Sequence, residues 1–253
     1  MGDRESGGGG EVRSVGRALD LLDIMRAAAP AGVRVGDAAA ALGVDPATAS
    51  RLLATLLARG YASRLPNRSY TLGVRSLRLA TAWVDQLTQR AGPVMAQVAE
   101  RCGETVYLLQ LVGSEAVTVA RLFGNRRATI DVEVGPTYPL WASAAGRALL
   151  GCVPAVARIE LLPAEPFPAL TPRTKTTWRE LAAALREAAE SGIYAEEGEI
   201  DPHLSCYAMP LLHRSRSEKL AIAVSFETAR PPSDRRFIRE AMRRESRALA
   251  WTI

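Results

Sequence analysis

Apolar residues recur at helical spacing through the first part of the chain and alternate with polar ones further on. The clearest helical stretch spans 46–58, where Ala49, Leu52, Leu53 and Leu56 form one apolar face. Its opposite face carries Thr48, Arg51 and Thr55, with Ser50 beside them. Asp45 is placed to accept a backbone N–H as N-cap, and Pro46 suits the first helical position, where no N–H is needed. With the preceding residues, VRVGDAAAALGVDPATASRLLATLLARG reads as two short helices joined by a tight connection. Upstream, SVGRALDLLDIM places Val15, Ala18 or Leu19, Leu22 and Met25 on one helical face. Downstream, Tyr61–Leu65 and Ser69–Leu72 read as strands around the turn Pro66-Asn67. Three helices and a two-stranded wing over 13–73 describe a winged helix-turn-helix.

Short hydroxyls and an arginine on the outer face of a small capped helix suit a DNA major groove. Thr48, Ser50, Arg51 and Thr55 are therefore the expected base-reading face. Arg64 and Arg68 flank the wing tip and, with Arg17 and Tyr70, are expected nearer the backbone or minor groove. Amphipathic helix pairs with a glycine-containing turn also occur in proteins that touch no DNA, so a protein-docking role stays open here.

The next pattern, VRSLRLATAWVDQLTQR over 74–90, is helical, with Leu77, Ala80, Val84 and Leu87 on one face and Leu79 and Trp83 widening it. It reads as a linker helix over 74–92 with surplus apolar surface for a second subunit, ended or kinked at Gly92-Pro93. Packing on its own domain would use the same face. A short helix over 94–102 precedes strands at 105–112 and 117–123, separated by Gly113-Ser114. Ile130, Val132 and Val134 alternate with acids as a half-buried strand, and a Gly135-Pro136 turn leads to a helix over 142–152. Thr177 and Glu180 have capping-box spacing for a helix that Gly192 closes. Strands follow at 193–197, 205–211 and 220–226, then a last helix capped by Ser233. Helices around a mostly antiparallel sheet make 93–253 an α+β domain, after a tail over 1–12 read as disordered.

Composition changes little in this picture. Between Arg13 and Gly73, eight arginines against four aspartates leave +4, which favours phosphate contact, although surface arginines also serve solubility. Lysine occurs only at 175 and 219, so the arginine bias reflects overall usage as much as DNA contact. There is no apolar run long enough to span a membrane and no signal-peptide core, and Cys102, Cys152 and Cys206 are odd in number and far apart. Reduced thiols and a cytoplasmic location are expected. With only His203 and His213, no CxxC, HExxH, GxGxxG, P-loop or GxSxG pattern is present, and no metal or cofactor is expected.

SVGRALDLLDIM, ATASRLLATLLARGY and YTLGVRSLRLA resemble the DNA-binding half of the IclR-type transcriptional regulators. PLWASAAGRALL, GIYAEEGE, LSCYAMPL and LAIAVSF resemble the motifs of that family's effector domain, with compatible spacing to the C-terminus. The resemblance implies a winged helix-turn-helix, a linker helix and a GAF-like effector-binding domain. It also implies dimers or dimers of dimers that bind operator DNA and small organic acids or aromatic intermediates. Carried over by motif, it places the effector against Ile130, Tyr138, Ala144, Ala145, Glu196, Leu204, Cys206, Ala223 and Ser225. Backbone N–H groups near Ala144 and Ala145 would suit a ligand carboxylate, and Ser225 donates or accepts.

The chain departs from the family pattern in places: His203 stands where glycine is common, Arg147 replaces a usual lysine, and Ala223 takes a place often held by serine. Two rival readings remain at this point. A thiol enzyme would use Cys206 and His203 with Glu196, Glu197, Glu199 and Asp201 nearby, though positions 203 and 206 on a strand point to opposite faces. A metabolite sensor that does not bind DNA would keep the second domain alone.

Overall fold

Helix α1 (Arg13–Ala27) buries Leu21 and Met25 against α2 (Val35–Leu42) and α3 (Pro46–Ala58). The expected α1 face holds at Ala18, Leu22 and Met25, which pack in this core, and is corrected at Val15 and Leu19, which are exposed. A domain this small has one apolar centre, and Leu21 reaches it where Leu19 does not. In α3 the expected face holds, with Ala49, Leu53 and Leu56 buried and Leu52 packed against them. The structure is a computed structural model describing residues 12–126, 134–211 and 218–249.

The wing is a hairpin of β1 (Ala62–Arg64) and β2 (Tyr70–Leu72), with Ala62 opposite Leu72 and Arg64 opposite Tyr70. Val33 and Tyr70 exchange both backbone hydrogen bonds at 2.8 Å, tying the wing to the start of α2. Gly73 closes this unit, because a Cβ there would stand 2.2 Å from the Gly60 carbonyl oxygen.

Helix α4 (Val74–Cys102) corrects the reading of two helices broken at Gly92-Pro93: it runs continuously with Pro93 inside. Proline costs a helix one hydrogen bond, but Ala91, Val94, Met95, Val98 and Ala99 are all buried around it, and that packing holds the helix on both sides. Of the expected apolar face, Leu77 is exposed and Leu87 buried, while the side chains of Ala80, Trp83 and Val84 lie outside the described residues. The chain divides into two compact units, Met1–Asp85 and Gln86–Ile253, so the boundary falls within α4.

The second unit is built on a six-stranded antiparallel sheet. Its strands are β3 (Val106–Val112), β4 (Glu115–Leu122), β5 (Thr137–Pro139), β6 (Tyr194–Glu197), β7 (Leu204–Leu211) and β8 (Leu220–Glu227). They lie in the order β5-β4-β3-β8-β7-β6. The expected strand at Ile130 and Val132 lies outside the described residues, and Thr137–Pro139 supplies the edge strand beside β4.

Strand alternation divides the side chains between two cores. Val106, Leu108, Tyr207, Met209, Ile222 and Val224 pack with the second half of α4 and with α7 (Pro232–Leu249). Tyr107, Leu109, Ala208, Ala221 and Ala223 face α5 (Ala144–Gly151) and α6 (Trp178–Ser191). The capping box of Thr177 and Glu180 is formed, and Gly192 ends α6 at φ 74°. Ser233 is corrected from cap to first-turn residue: α7 begins at Pro232, which needs no N–H partner. No helix among the described residues is long and apolar enough to cross a membrane.

Candidate functional site

On α3, Asp45 does more than cap the helix. Its carboxylate accepts from the Thr48 amide at 2.9 Å and from the Thr48 hydroxyl at 2.7 Å. The hydroxyl bond, then the amide bond, hold its pKa below the ordinary carboxylate value. Arg51 Nη2 donates to Thr48 Oγ1 at 3.3 Å, and Thr55 Oγ1 donates to the Arg51 carbonyl at 2.8 Å. The expected reading face therefore divides. Ser50 and Arg51 are exposed; Thr48 is half-buried with its proton committed, and Thr55 presents chiefly its methyl and lone pairs. Arg64 and Arg68 are exposed on the wing, Arg68 at φ 65°, and Arg17 is half-buried on α1. Tyr70 is a correction: it is 8% exposed and packs in the core, with the Arg64 guanidinium 5.7 Å from its ring centre. Its ring supports Arg64 rather than facing outward.

In the second unit, the sheet face toward α5 carries small residues at Cys206, Ala223 and Ser225, and α5 opens with Ala144 and Ala145. Short side chains on both layers leave a cavity of about 50 Å³, well above the roughly 10–15 Å³ that one water needs. Tyr138, Ala144, Ala145, Glu196, Leu204, Cys206, Ala223 and Ser225 all line it. Ile130, the ninth expected position, lies outside the described residues. Five further lining residues had not been anticipated: Tyr107, Leu109, Thr118, Ser143 and Ile200. Only Ser143 left a local signal, as a serine standing just before a helix.

Ser143 donates to the Pro139 carbonyl at 2.8 Å and accepts from the Gly146 amide at 2.9 Å. That cap takes the third amide of α5, while the first two, Ala144 and Ala145, have no acceptor within the helix. Amides without an intrahelical acceptor, at the positive end of a helix, favour an anion in general. Across the sheet, strand pairing sets Glu196, Cys206 and Ser225 abreast on β6, β7 and β8.

Two glutamates near β6 have opposite environments. Burial, with the neighbouring Glu199 charge adding to it, drives the Glu196 pKa up to about 7, against a 3.0 Å hydrogen bond from the Glu199 amide. Glu199 is itself desolvated, yet hydrogen bonds from Arg147 and Lys175 hold its pKa below the ordinary value. Arg147 Nη1 reaches Glu199 at 2.8 Å and its Nη2 pairs with the second oxygen, while Lys175 Nζ adds a contact at 2.5 Å. Arg147 also donates to the Trp141 and Ala195 carbonyls at 3.0 and 2.7 Å, fastening α5 to the edge of the sheet. An arginine at this position has a use, since only the guanidinium fork reaches all these acceptors.

The thiol arrangement does not assemble. Burial, reinforced by the Glu196 charge, pushes the Cys206 thiol up to about 12, so the nucleophilic thiolate is disfavoured. His203 is exposed on the turn before β7, and its amide donates to Asp201 at 2.8 Å. Glu197 is exposed and pairs with Arg235 at 3.3 Å. Among the described residues no cluster of His, Cys, Asp and Glu could hold a metal ion.

Comparison with known proteins agrees with this division of the chain. The model of the C-terminal part of the bacterial transcriptional regulator IclR matches residues 81–251, and that of the IclR helix-turn-helix domain matches 14–66. The HTH-type transcriptional regulator XynR of Escherichia coli is 27% identical over 222 residues, 87% of this chain and 88% of that protein. The crystal structure of an IclR transcriptional regulator from Alicyclobacillus acidocaldarius superposes with a TM-score of 0.84 at 24% identity, covering 96% of this chain and 100% of that one. An IclR homologue from Microbacterium hydrocarbonoxydans, crystallised with 4-hydroxybenzoate, gives 0.76 at 23% identity over 94% of this chain and 98% of that one. Both structural likenesses speak to the fold.

Proposed function

We propose, for a chain that belongs to the IclR family of bacterial DNA-binding transcriptional regulators, that its second unit binds a small organic acid or aromatic effector that changes operator affinity. The observation that carries this reading is the cavity between α5 and the small-residue face of β7 and β8, with Ala144 and Ala145 at the start of α5 in its wall. The 4-hydroxybenzoate held by the Microbacterium homologue is an example of such a ligand in the same fold. An effector acts on DNA affinity only if it favours one arrangement of the protein, and the coupling is then reciprocal.

On the DNA side, Ser50 and Arg51 are assigned to base edges, with Thr48 and Thr55 in support. Arg17, Arg64 and Arg68 are assigned to phosphates or the minor groove. One winged helix reads few base pairs, so a symmetric dimer on two half-sites is the expected form. Exposed Val15 and Leu19 on α1, and Val74, Leu77 and Leu79 on α4, supply apolar surface for a second copy.

Footprinting on the DNA flanking this protein's own gene, with candidate organic acids added, tests the whole reading. Protection of two half-sites that shifts with one acid is expected. Absence of protection would favour a protein-docking module instead, and protection indifferent to every acid would remove the sensing role.

A further inference from the structure

Thr118 stands on β4 beside an irregularity in its pairing with β3. Leu108 pairs with Ala120 but Leu109 pairs with Thr118, so Val119 is an extra residue in the ladder. Simple alternation would give Thr118 the face of Ala120, which packs in the core against α4 and α7. The bulge turns Thr118 to the opposite face, where it lines the cavity.

Four buried side-chain atoms among the described residues have no hydrogen-bond partner: Glu104 Oε1, Thr105 Oγ1, Gln110 Oε1 and Thr118 Oγ1. The first is ion-paired with Arg230 at 2.5 Å, and only Thr118 lines the cavity. Thr118 is 1% exposed, so water from outside does not satisfy it. A buried hydroxyl left without a partner is costly, and such groups in folded proteins point to a bound water, an ion or a ligand.

We infer that Thr118 is a further effector-binding residue, whose hydroxyl donates to a carboxylate oxygen of a small organic acid in the cavity. The inference rests on the effector-binding reading above. Ala144 and Ala145, the first two residues of α5, line the same cavity, and Thr118 faces them from the sheet layer. The apolar walls around it, Tyr107, Leu109 and Tyr138, suit the body of such an acid.

The test uses the full chain and calorimetric titration with acetate, pyruvate, benzoate and 4-hydroxybenzoate. Thr118→Val, which keeps the shape, should weaken each acid that binds the wild type about tenfold or more. Thr118→Ser, which keeps the hydroxyl, should bind within about twofold of wild type. Without ligand, Thr118→Val should raise the thermal midpoint by about 2–4 °C, since it removes an unpaired buried hydroxyl. Unchanged acid affinity in Thr118→Val overturns the role of Thr118 and leaves the cavity reading standing. Failure of all four acids to bind the wild type counts against the cavity reading itself. A fall in the midpoint of unliganded Thr118→Val would show that the hydroxyl already has a structural partner, and would overturn the inference without reference to any ligand.

Discussion

Arg147 and Glu199 form a buried ion pair that joins α5 to the turn after β6, with side chains 1% and 4% exposed. Both carboxylate oxygens meet the guanidinium, and Lys175 adds a second cation from the partly exposed side. Desolvating two charges is costly, so the pair is better read as fixing where α5 begins than as a large net stabiliser. Removing one partner is different, because the other stays buried. Arg147→Met should destabilise the second unit by about 3–5 kcal/mol, measured by urea denaturation, with Arg147→Lys in between. An Arg147→Met protein as stable as wild type would show that α5 is held by its apolar face alone.

Glu196 and Glu199 should give stability opposite pH dependences. The Glu196 carboxyl is held at about 7 in the folded chain against 4.5 ordinarily, so its contribution is full below pH 4.5 and lost as pH rises through 7. Glu199, with its pKa lowered, contributes above its ordinary value and loses that contribution as pH falls. Glu196→Gln should therefore flatten the loss of stability between pH 4.5 and 7 and gain about 2–4 kcal/mol at pH 8. Parallel pH profiles for the variant and wild type would show that Glu196 is not desolvated in solution.

The local elements were legible because their signals are local. Asp45-Pro46 announces α3, Thr177 with Glu180 announces α6, and Gly192 closes α6 in the left-handed conformation that glycine favours. On α1 the periodicity placed Ala18, Leu22 and Met25 but not Leu21, because it marks more apolar positions than a small core can bury, and Leu21 is chosen by what it meets. Gly92-Pro93 stopped the helix on paper, but packing on both sides carries α4 through it. Most of the cavity wall was reached through family motifs. Thr118 and Tyr107 were out of reach, since a bulge between distant strands aims one and the other lies in an uninterrupted apolar run.

Arg51 and Arg68 should fail differently on DNA. Arg51 stands exposed at the centre of α3 and, among the described residues, donates to the side chain of Thr48, so Arg51→Ala should cost about 1–3 kcal/mol on the operator and little on random DNA. Arg68 sits at φ 65°, a conformation glycine adopts freely, so Arg68→Gly removes the charge without straining the turn. It should weaken operator and random DNA alike and lower the slope of affinity against salt. Fluorescence anisotropy on both DNAs separates the cases, and equal losses from Arg51→Ala would withdraw its base-reading role.

Ala223 packs on the sheet face beneath α5, and a larger side chain there fills the cavity while leaving α3 and the wing untouched. The most direct measurement is operator affinity of wild type and Ala223→Leu by anisotropy, each with and without the acid that shifts the footprint. The account predicts a change of about 5- to 150-fold for the wild type, none for Ala223→Leu, and the same affinity for both without the acid. An equal shift in the two proteins would place the effector outside this cavity and contradict the account.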